Sequence, residues 1–533
     1  MKHSRKSLLT IAFMLVFSMI LAACSGGEDT SKNSKDGDEG SAKEGGDLQI
    51  AWLSDAVSLD PQGSNDVPSS NVQYNIYETL VYQDENIEIQ PGLAESWEQV
   101  DDLTWEFKLR EGVKFHDGSD FNADVVVANF NRIQDPDVAS PRAFLYEMIT
   151  EVKAVDSHTV QIKTEYPFAP LLAHLSHNGG SMISKTAIDK DYEAMKNGEK
   201  AGSYISKNPS GTGPFELGEW VAGQHVKLVK FDDYWGEKPK LNSVTFKVVP
   251  EALTRVAELE TGTVHIADPI SPSDMSRVDN LPDAGLNRQT SLSLAYIGFN
   301  AEKAPFNDVK VRQAITMAID KKQISDGIYN GTGVPAVGPL APDVYAFDES
   351  VKPLEYNLDE AKKLLAEAGY EDGFSTTIWT NDNPDRQKIA EYVQSALKEL
   401  NINVKIEVLE WGAYLADTAA GKHDMFILGW STATADADYA MYPLFHSANV
   451  GEPGNRTFLK DAELDKILED ARKETDDTKR KALYKQAQEK LVELAPMVYL
   501  LHTEYITGVS DKVKGFSVHP SGLFNLRNVT IEE

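Results

Sequence analysis

Two spacings of apolar residues alternate along most of this chain, and each predicts a different element. In residues 104–110, Trp105, Phe107 and Leu109 alternate with polar and charged residues, which is typical of a half-buried β-strand. Apolar residues between 311 and 319 instead recur at intervals of three and four, which is typical of one face of a helix. Strand and helix patterns follow each other in this way without a repeat period, so we predict an α/β fold.

One short apolar run, residues 425–428, predicts a strand that is buried on both faces. It ends at Gly429-Trp430, and the small and polar residues that follow include Asp436, Asp438 and Tyr439. Ligands of α/β proteins bind beyond the ends of such strands, and a carboxylate beside an aromatic wall suits a ligand's ammonium group. The residue types alone leave open the alternative of a solvated acidic loop whose aromatic side chains belong to the core.

The size and charge of the chain limit its organisation and its partners. A chain of 533 residues is too long for one ordinary hydrophobic core and predicts two or three packed units. The formal net charge is −31, from 83 acidic and 52 basic residues. Such a surface repels nucleic acid and anionic lipid headgroups, so neither is expected as a partner.

The N-terminal segment has the pattern of an export signal. Basic residues precede a mostly apolar stretch over residues 8–21, which is too short for a comfortable membrane span. The stretch closes with Leu21-Ala-Ala-Cys24, which resembles the lipobox of bacterial lipoproteins, and Cys24 is the only cysteine of the chain. We therefore predict a signal peptide over 1–23, then a lipidated Cys24 and a flexible tether over 24–44, on the extracytoplasmic face of the cell membrane.

Several short motifs occur in a fixed order through the rest of the chain. They are Leu93-Ala-Glu-Ser-Trp97, the stretch from Phe107 to Gly118, Gly211-Thr-Gly-Pro-Phe215, Asp233-Tyr-Trp235, the stretch from Phe306 to Ala314, and Gly429-Trp430. This order resembles the extracytoplasmic solute-binding proteins of peptide ABC importers, the family 5 class that binds dipeptides and oligopeptides. The stretches 368–379 and 437–440 are most similar to the glutathione-binding members.

The resemblance implies a three-lobed α/β clamshell of the type II periplasmic-binding-protein class, with the ligand in the cleft between its first and third lobes. The first lobe is discontinuous and is expected to comprise residues 45–82, 205–294 and 503–533. The second lobe would comprise residues 83–204, and the third residues 295–502. Closure of the lobes would then bury the ligand.

The resemblance also implies roles for particular side chains. Either Asp436 or Asp438 is expected to bind the ammonium group of a peptide, and Arg386 is expected to bind its carboxylate. The expected aromatic residues of the cleft are Trp411, Trp430 and Tyr439. No metal ligand, cofactor or catalytic residue is predicted.

The resulting functional hypothesis is a monomeric, membrane-anchored solute-binding lipoprotein that captures short peptides or glutathione-like ligands for the permease and ATPase subunits of an ABC importer. One alternative is a binder of a metal chelate, such as a nickel complex or haem, with His174 and His177 as the only close histidine pair. Another is a signalling or adhesion lipoprotein that works without an importer. An enzyme is disfavoured, because the chain lacks hydrolase-elbow, zinc-protease and Walker A motifs, and nothing places a second carboxylate opposite Asp436 and Asp438.

Overall fold

The computed structural model describes residues 45–452 and 454–532, so the predicted signal peptide, Cys24 and the whole tether lie outside the described residues. Within these ranges the chain forms three larger β-sheets, each with helices or loops packed against it. The mixture of parallel and antiparallel strands with intervening helices agrees with the predicted α/β class. None of the helices in the described ranges has the length and apolar character needed to cross a membrane.

The largest sheet has seven strands and is assembled from three separate stretches of the chain. In spatial order its strands are Ala284–Thr290, Glu504–Ser510, Ile266–Asp268, Asp47–Trp52, Ser243–Val248, His225–Lys230 and Phe215–Val221. The strand Asp47–Trp52 lies inside the sheet and runs parallel to both of its neighbours. A strand with neighbours on both sides must bury its apolar residues, and Leu48 and Ile50 are fully buried.

A second sheet has six strands and contains the apolar run that the sequence singles out. In spatial order its strands are Val334–Pro335, Met497–His502, Ser293–Phe299, Met425–Ser431, Ser375–Asn381 and Asn403–Leu409. Met425, Phe426 and Ile427 are fully buried, which confirms the prediction of a strand that is covered on both faces.

A third sheet is antiparallel and has four strands, Ala94–Asp101, Thr104–Leu109, Thr159–Thr164 and Ile149–Asp156. Phe107 and Leu109 face its core, as their alternation predicts. Three two-stranded pairs complete the strands: Val81–Gln83 with Ile89–Pro91, Val513–Lys514 with Thr530–Ile531, and Ser517–Val518 with Phe524–Asn525. The strand Ser293–Phe299 of the six-stranded sheet crosses the predicted boundary between residues 294 and 295, and the division into lobes stays a prediction.

Fifteen α-helices and five short 3₁₀ helices lie in the described ranges. The α-helices are Val67–Ile76, Ala123–Ile133, Leu171–Leu175, Lys185–Lys196, Ser203–Lys207, Ala252–Glu260, Met275–Asp279, Val309–Ala318, Lys321–Gly327, Leu358–Glu367, Pro384–Ala396, Trp411–Ala419, Ala437–Phe445, Ala462–Lys473 and Asp477–Leu494. The 3₁₀ helices are Ala143–Leu145, Asn178–Gly180, Pro272–Asp274, Leu397–Leu400 and Ser447–Asn449. The sequence of residues 122–132 predicts a helix capped near Asn122, and this cap is confirmed, because the Asn122 side chain accepts a hydrogen bond from the backbone N–H of Val125.

The composition of residues 381–386, and of the small and polar residues after Trp430, predicts loops, but both segments run into helices. A helix begins at Pro384, where the side chain of Asn383 accepts hydrogen bonds from the next free backbone N–H groups. Another helix begins at Ala437, with Asp436 as its capping residue. The second of these changes the interpretation of the acidic stretch, because Asp436 and Asp438 belong to the start of a helix and not to an open loop.

Candidate functional site

A cavity of about 400 Å³ lies between the seven-stranded and six-stranded sheets. Trp52 and Asp268 reach it from the carboxyl ends of two parallel strands of the larger sheet. Asn381 and Ser431 reach it from the carboxyl ends of two parallel-paired strands of the smaller sheet. This is the place where α/β proteins bind ligands, because polar loop residues and helix N-termini converge there.

Arg386 lines this cavity from the first turn of the helix that begins at Pro384. Its Nη1 donates a hydrogen bond of 3.0 Å to Oδ1 of Asn381. Its guanidinium carbon lies 5.7 Å from the centre of the Trp411 ring. The neighbouring Asp385 pairs with Lys388 at 3.0 Å, and no carboxylate of the described residues forms an ion pair with Arg386. Arg386 is therefore free to bind an anionic group, and an arginine can hold a carboxylate by two parallel hydrogen bonds.

Trp430 and Tyr439 form an aromatic wall of the cavity. Their ring centres are 5.2 Å apart, and Nε1 of Trp430 donates a hydrogen bond of 3.0 Å to the backbone oxygen of Tyr439. Both residues line the cavity together with Trp411, as predicted. Burial raises the pKa of the Tyr439 phenol to about 12, so the wall is uncharged at neutral pH.

A chain of hydrogen bonds connects Tyr439 to other parts of the fold. Burial lowers the pKa of His177 well below its usual value, so this imidazole is neutral. Its Nδ1 accepts from the backbone N–H of Gly179, which leaves the proton on Nε2. Nε2 then donates over 2.9 Å to the Tyr439 hydroxyl, which donates over 3.3 Å to Oδ1 of Asn65. Tyr439 thereby joins the third predicted lobe to the other two.

The structure does not bring Asp436 to the cavity. Besides capping its helix, Asp436 is held by Arg480, whose Nη2 and Nη1 lie 2.6 Å and 2.9 Å from the two carboxylate oxygens. This is a two-point ion pair in which the arginine is almost fully buried.

Asp438 also points away from the cavity and is only 1% exposed. One of its oxygens lies 3.0 Å from Nε of Arg472, and the other lies 3.2 Å from Nε2 of His174. Burial alone would raise the pKa of Asp438, but Arg472 and His174 outweigh burial and hold this pKa below its usual value. The prediction that Asp436 or Asp438 receives a ligand's ammonium does not fit this geometry, because both carboxylates already bind arginines of the same chain.

Four other carboxylates line the cavity. Asp385 and Glu504 form ion pairs with Lys388 and Arg288, which leaves Asp66 and Asp268. Neither forms an ion pair with a lysine, arginine or histidine of the described residues. The sequence analysis does not identify them, although each has a local signal. Asp66 precedes Val67-Pro68, a helix start with a capping residue and an early proline, and Asp268 ends a short apolar strand. These local signals do not show that the two segments meet at one cavity.

Asp268 makes the stability of the ligand-free protein depend on pH. Burial raises the pKa of this carboxyl from 3.8 to about 6, against weaker opposing effects of Thr507 and Arg255. Because the pKa is higher in the folded state, the stability that this group contributes is fully present below its unfolded pKa and is lost as the pH rises through about 6. We expect Asp268→Asn to be more stable than the parent at pH 7.5, with the advantage disappearing towards pH 4, in melting curves recorded across that range.

A matched control for this prediction is Asp385→Asn, since the charge of Asp385 is paired with Lys388. That variant should keep the parent's dependence on pH through pH 6. Equal pH dependence in the parent and in Asp268→Asn would contradict the assignment of the titrating group.

The histidine pair that suggested a metal chelate is committed to other contacts. His174 lies against Asp438, and His177 donates to Tyr439. Within residues 45–452 and 454–532, no group of three histidine, aspartate or glutamate side chains is arranged to hold a metal ion.

Comparison with known proteins decides the family. The family model for bacterial extracellular solute-binding proteins, family 5, matches residues 88–452. This chain belongs to family 5 of the bacterial extracellular solute-binding proteins. The glutathione-binding protein GsiB of Shigella flexneri is 34% identical over 495 residues, which are 91% of this chain and 94% of that protein. The dipeptide-binding protein of Escherichia coli K12 is 35% identical over 470 residues, which are 84% of this chain and 86% of that protein.

The solved structures agree with this assignment. The periplasmic binding protein DppA of Helicobacter pylori, in complex with the peptide STSA, superimposes with a TM-score of 0.86 at 33% identity. The match covers 92% of this chain and 99% of that one. The predicted type II, three-lobed fold is confirmed. As a family 5 protein the chain is an extracytoplasmic substrate-binding component of ABC transport, a non-enzymatic role.

Proposed function

We propose that this family 5 protein is a membrane-anchored lipoprotein that captures short peptides, or glutathione-like ligands, between its first and third lobes and delivers them to the permease of an ABC importer. The observation that carries the proposal is Arg386, a cavity-lining arginine that no carboxylate of the described residues neutralises. Every peptide with a free C-terminus supplies the planar carboxylate that such a guanidinium binds best. The relatives named for dipeptide and glutathione binding support the same class of ligand.

The aromatic lining fits the rest of a peptide. Trp411, Trp430 and Tyr439 offer broad apolar faces with few fixed hydrogen-bond requirements, so they can pack against side chains of different shape. Their own polar atoms are already engaged, since Trp430 donates to Tyr439 and Tyr439 donates to Asn65. Binding at these walls would therefore discriminate weakly between side chains, whereas the charged groups would fix the orientation of the peptide.

The proposal is tested by thermal unfolding of residues 25–533 in the presence of single ligands. A ligand that binds only the folded form raises its stability by RT ln(1 + [L]/Kd), which is about 2.7 kcal/mol at a hundredfold excess over Kd. We expect at least one member of a panel of di- to pentapeptides and glutathione to raise the melting temperature clearly. Flat curves for the whole panel, with a shift for a nickel–histidine complex or haem, would contradict a peptide ligand.

The lipid anchor is tested by Cys24→Ser in the producing cell. Only a thiol can receive the diacylglycerol that precedes cleavage, so we expect this variant to accumulate as a precursor that retains residues 1–23. Metabolic labelling with a radioactive fatty acid should label the parent and leave the variant unlabelled. A labelled variant of mature size in the membrane fraction would show that the anchor is elsewhere.

A further inference from the structure

We propose that Asp66 binds the positively charged group of the ligand, so that the cavity selects short zwitterions whose two charges are about one dipeptide apart. This inference rests on the proposed function, because it assigns the second charged contact of the same site. It also replaces the role first expected of Asp436 and Asp438, since the cation-binding carboxylate now comes from the first predicted lobe instead of the third.

Only one oxygen of the Asp66 carboxylate accepts hydrogen bonds from the described residues. Its Oδ1 accepts hydrogen bonds from the backbone N–H of Ser69 at 3.0 Å and from Nε1 of Trp411 at 3.5 Å. Its Oδ2 is buried and has no hydrogen-bond partner among the described residues. The residue lines the cavity and is 8% exposed, so water replaces the missing partner only in small part.

The charge of Asp66 is not needed for its structural task. Asp66 caps the helix Val67–Ile76, and asparagine caps helices about as well as aspartate. The helices that begin at Ala123 and at Pro384 are capped by Asn122 and Asn383, which carry no charge. A buried carboxylate without a cation is unfavourable, and burial raises the pKa of Asp66 above its ordinary value. A cation brought by the ligand would remove that penalty.

Arg142, the cation of the protein that acts on the Asp66 carboxylate, does not neutralise it. Arg142 is fully buried and uses its Nη2 to donate a 2.8 Å hydrogen bond to Oγ of Ser70. It weakly lowers the pKa of Asp66 from a distance, and the two side chains do not form an ion pair. The Asp66 carboxylate can therefore bind a cation directly.

Asp66 and Arg386 share one neighbouring side chain, which places both charges within the reach of one short ligand. Both residues contact Trp411: Oδ1 of Asp66 lies 3.5 Å from Nε1 at the edge of the indole, and the guanidinium of Arg386 lies 5.7 Å from its ring centre. A negative and a positive group thus both lie beside one indole side chain. An extended dipeptide spans about 7 Å between its ends. A peptide of two residues could therefore reach Asp66 with its ammonium and Arg386 with its carboxylate while its backbone crosses Trp411.

The test is calorimetric titration of Asp66→Asn with the dipeptide that most stabilises the parent, and with the desamino analogue of that dipeptide. The variant keeps the capping oxygen and loses the charge, so its ligand-free melting temperature should not fall. We expect the free dipeptide to bind the variant at least about thirtyfold more weakly than it binds the parent. The desamino analogue should bind both proteins equally, and as weakly as the free dipeptide binds the variant.

Asp461→Asn is the matched control, because Asp461 caps the helix Ala462–Lys473 outside the cavity lining. It makes the same chemical change at the same kind of position and should leave dipeptide affinity within about twofold of the parent's. Unchanged affinity in Asp66→Asn, or a desamino analogue that binds the parent as tightly as the dipeptide, would overturn the role of Asp66 and leave the proposed function standing. A parent that binds no peptide would overturn the proposed function itself.

Discussion

Arg386→Gln is expected to weaken the binding of a peptide with a free C-terminus by about 2–5 kcal/mol, or about thirtyfold to several thousandfold in Kd. The reason is that closure of the lobes would remove both the guanidinium and the peptide carboxylate from water, and loss of one partner leaves the other charge buried and unpaired. Glutamine can still donate one hydrogen bond, but it supplies neither the charge nor the two-point geometry. Titration calorimetry with the best-binding peptide measures the loss.

Lys388→Gln is the matched control for that variant. Lys388 is a cation on the same helix, and its ammonium pairs with Asp385 at 3.0 Å. Its removal should leave peptide affinity within about threefold of the parent's, because Lys388 does not line the cavity and cannot reach the ligand. If both variants bind the peptide like the parent, Arg386 does not receive the carboxylate.

Arg472→Ala is expected to destabilise the ligand-free protein by about 3–5 kcal/mol, the range observed when one partner of a buried ion pair is removed. Arg472 is fully buried, lies 3.0 Å from Asp438 and stacks on the ring of Tyr442 at 3.7 Å. It also forms an ion pair with Glu147, which belongs to the second predicted lobe. The variant would leave the Asp438 carboxylate buried with the His174 imidazole and the Tyr484 hydroxyl as its remaining partners. Urea unfolding followed by circular dichroism measures the change.

Lys473→Ala, at the next position, serves as the comparison for Arg472→Ala. Its ammonium is exposed and lies 5.2 Å from the centre of the Tyr166 ring, so its removal should change stability by less than about 1 kcal/mol. Restoring a neutral pair with Asp438→Asn in the Arg472→Ala background should recover part of the lost stability, because the stranded charge is then gone. Parent-like stability of Arg472→Ala would contradict a structural role for this cluster.

The sequence predicted well those features that depend on neighbouring residues. The run from Met425 to Leu428 is a central strand because four successive apolar side chains point to both faces of the sheet and are all buried only if both faces are covered. The cap at Asn122 is equally local, since it needs only an amide side chain and the free N–H groups of the next turn. The aromatic residues Trp411 and Trp430 were placed at the cavity by resemblance to the family, and both line it.

The partners of the two aspartates could not be predicted in the same way. Asp436 is held by Arg480, which lies 44 positions away in the chain, and Asp438 is held by Arg472 and His174. A sequence shows that a carboxylate follows a buried strand, but it does not show which distant cation the fold brings to it. The sequence therefore suggests that Asp438 binds a ligand, whereas Arg472 of the same chain neutralises its carboxylate. Asp66 is the opposite case, since a capping residue with an ordinary local role faces the cavity without a cation.

The central claim, that Arg386 receives the carboxylate of a peptide in this cavity, is tested most directly by one calorimetric cycle. The parent and Arg386→Gln are each titrated with the best-binding peptide and with its C-terminal amide, which removes the same charge from the ligand. We expect one peptide per chain, a loss of at least about thirtyfold on amidation for the parent, and a loss below about threefold on amidation for the variant. Equal losses on amidation in both proteins would contradict it, because the carboxylate would then bind elsewhere.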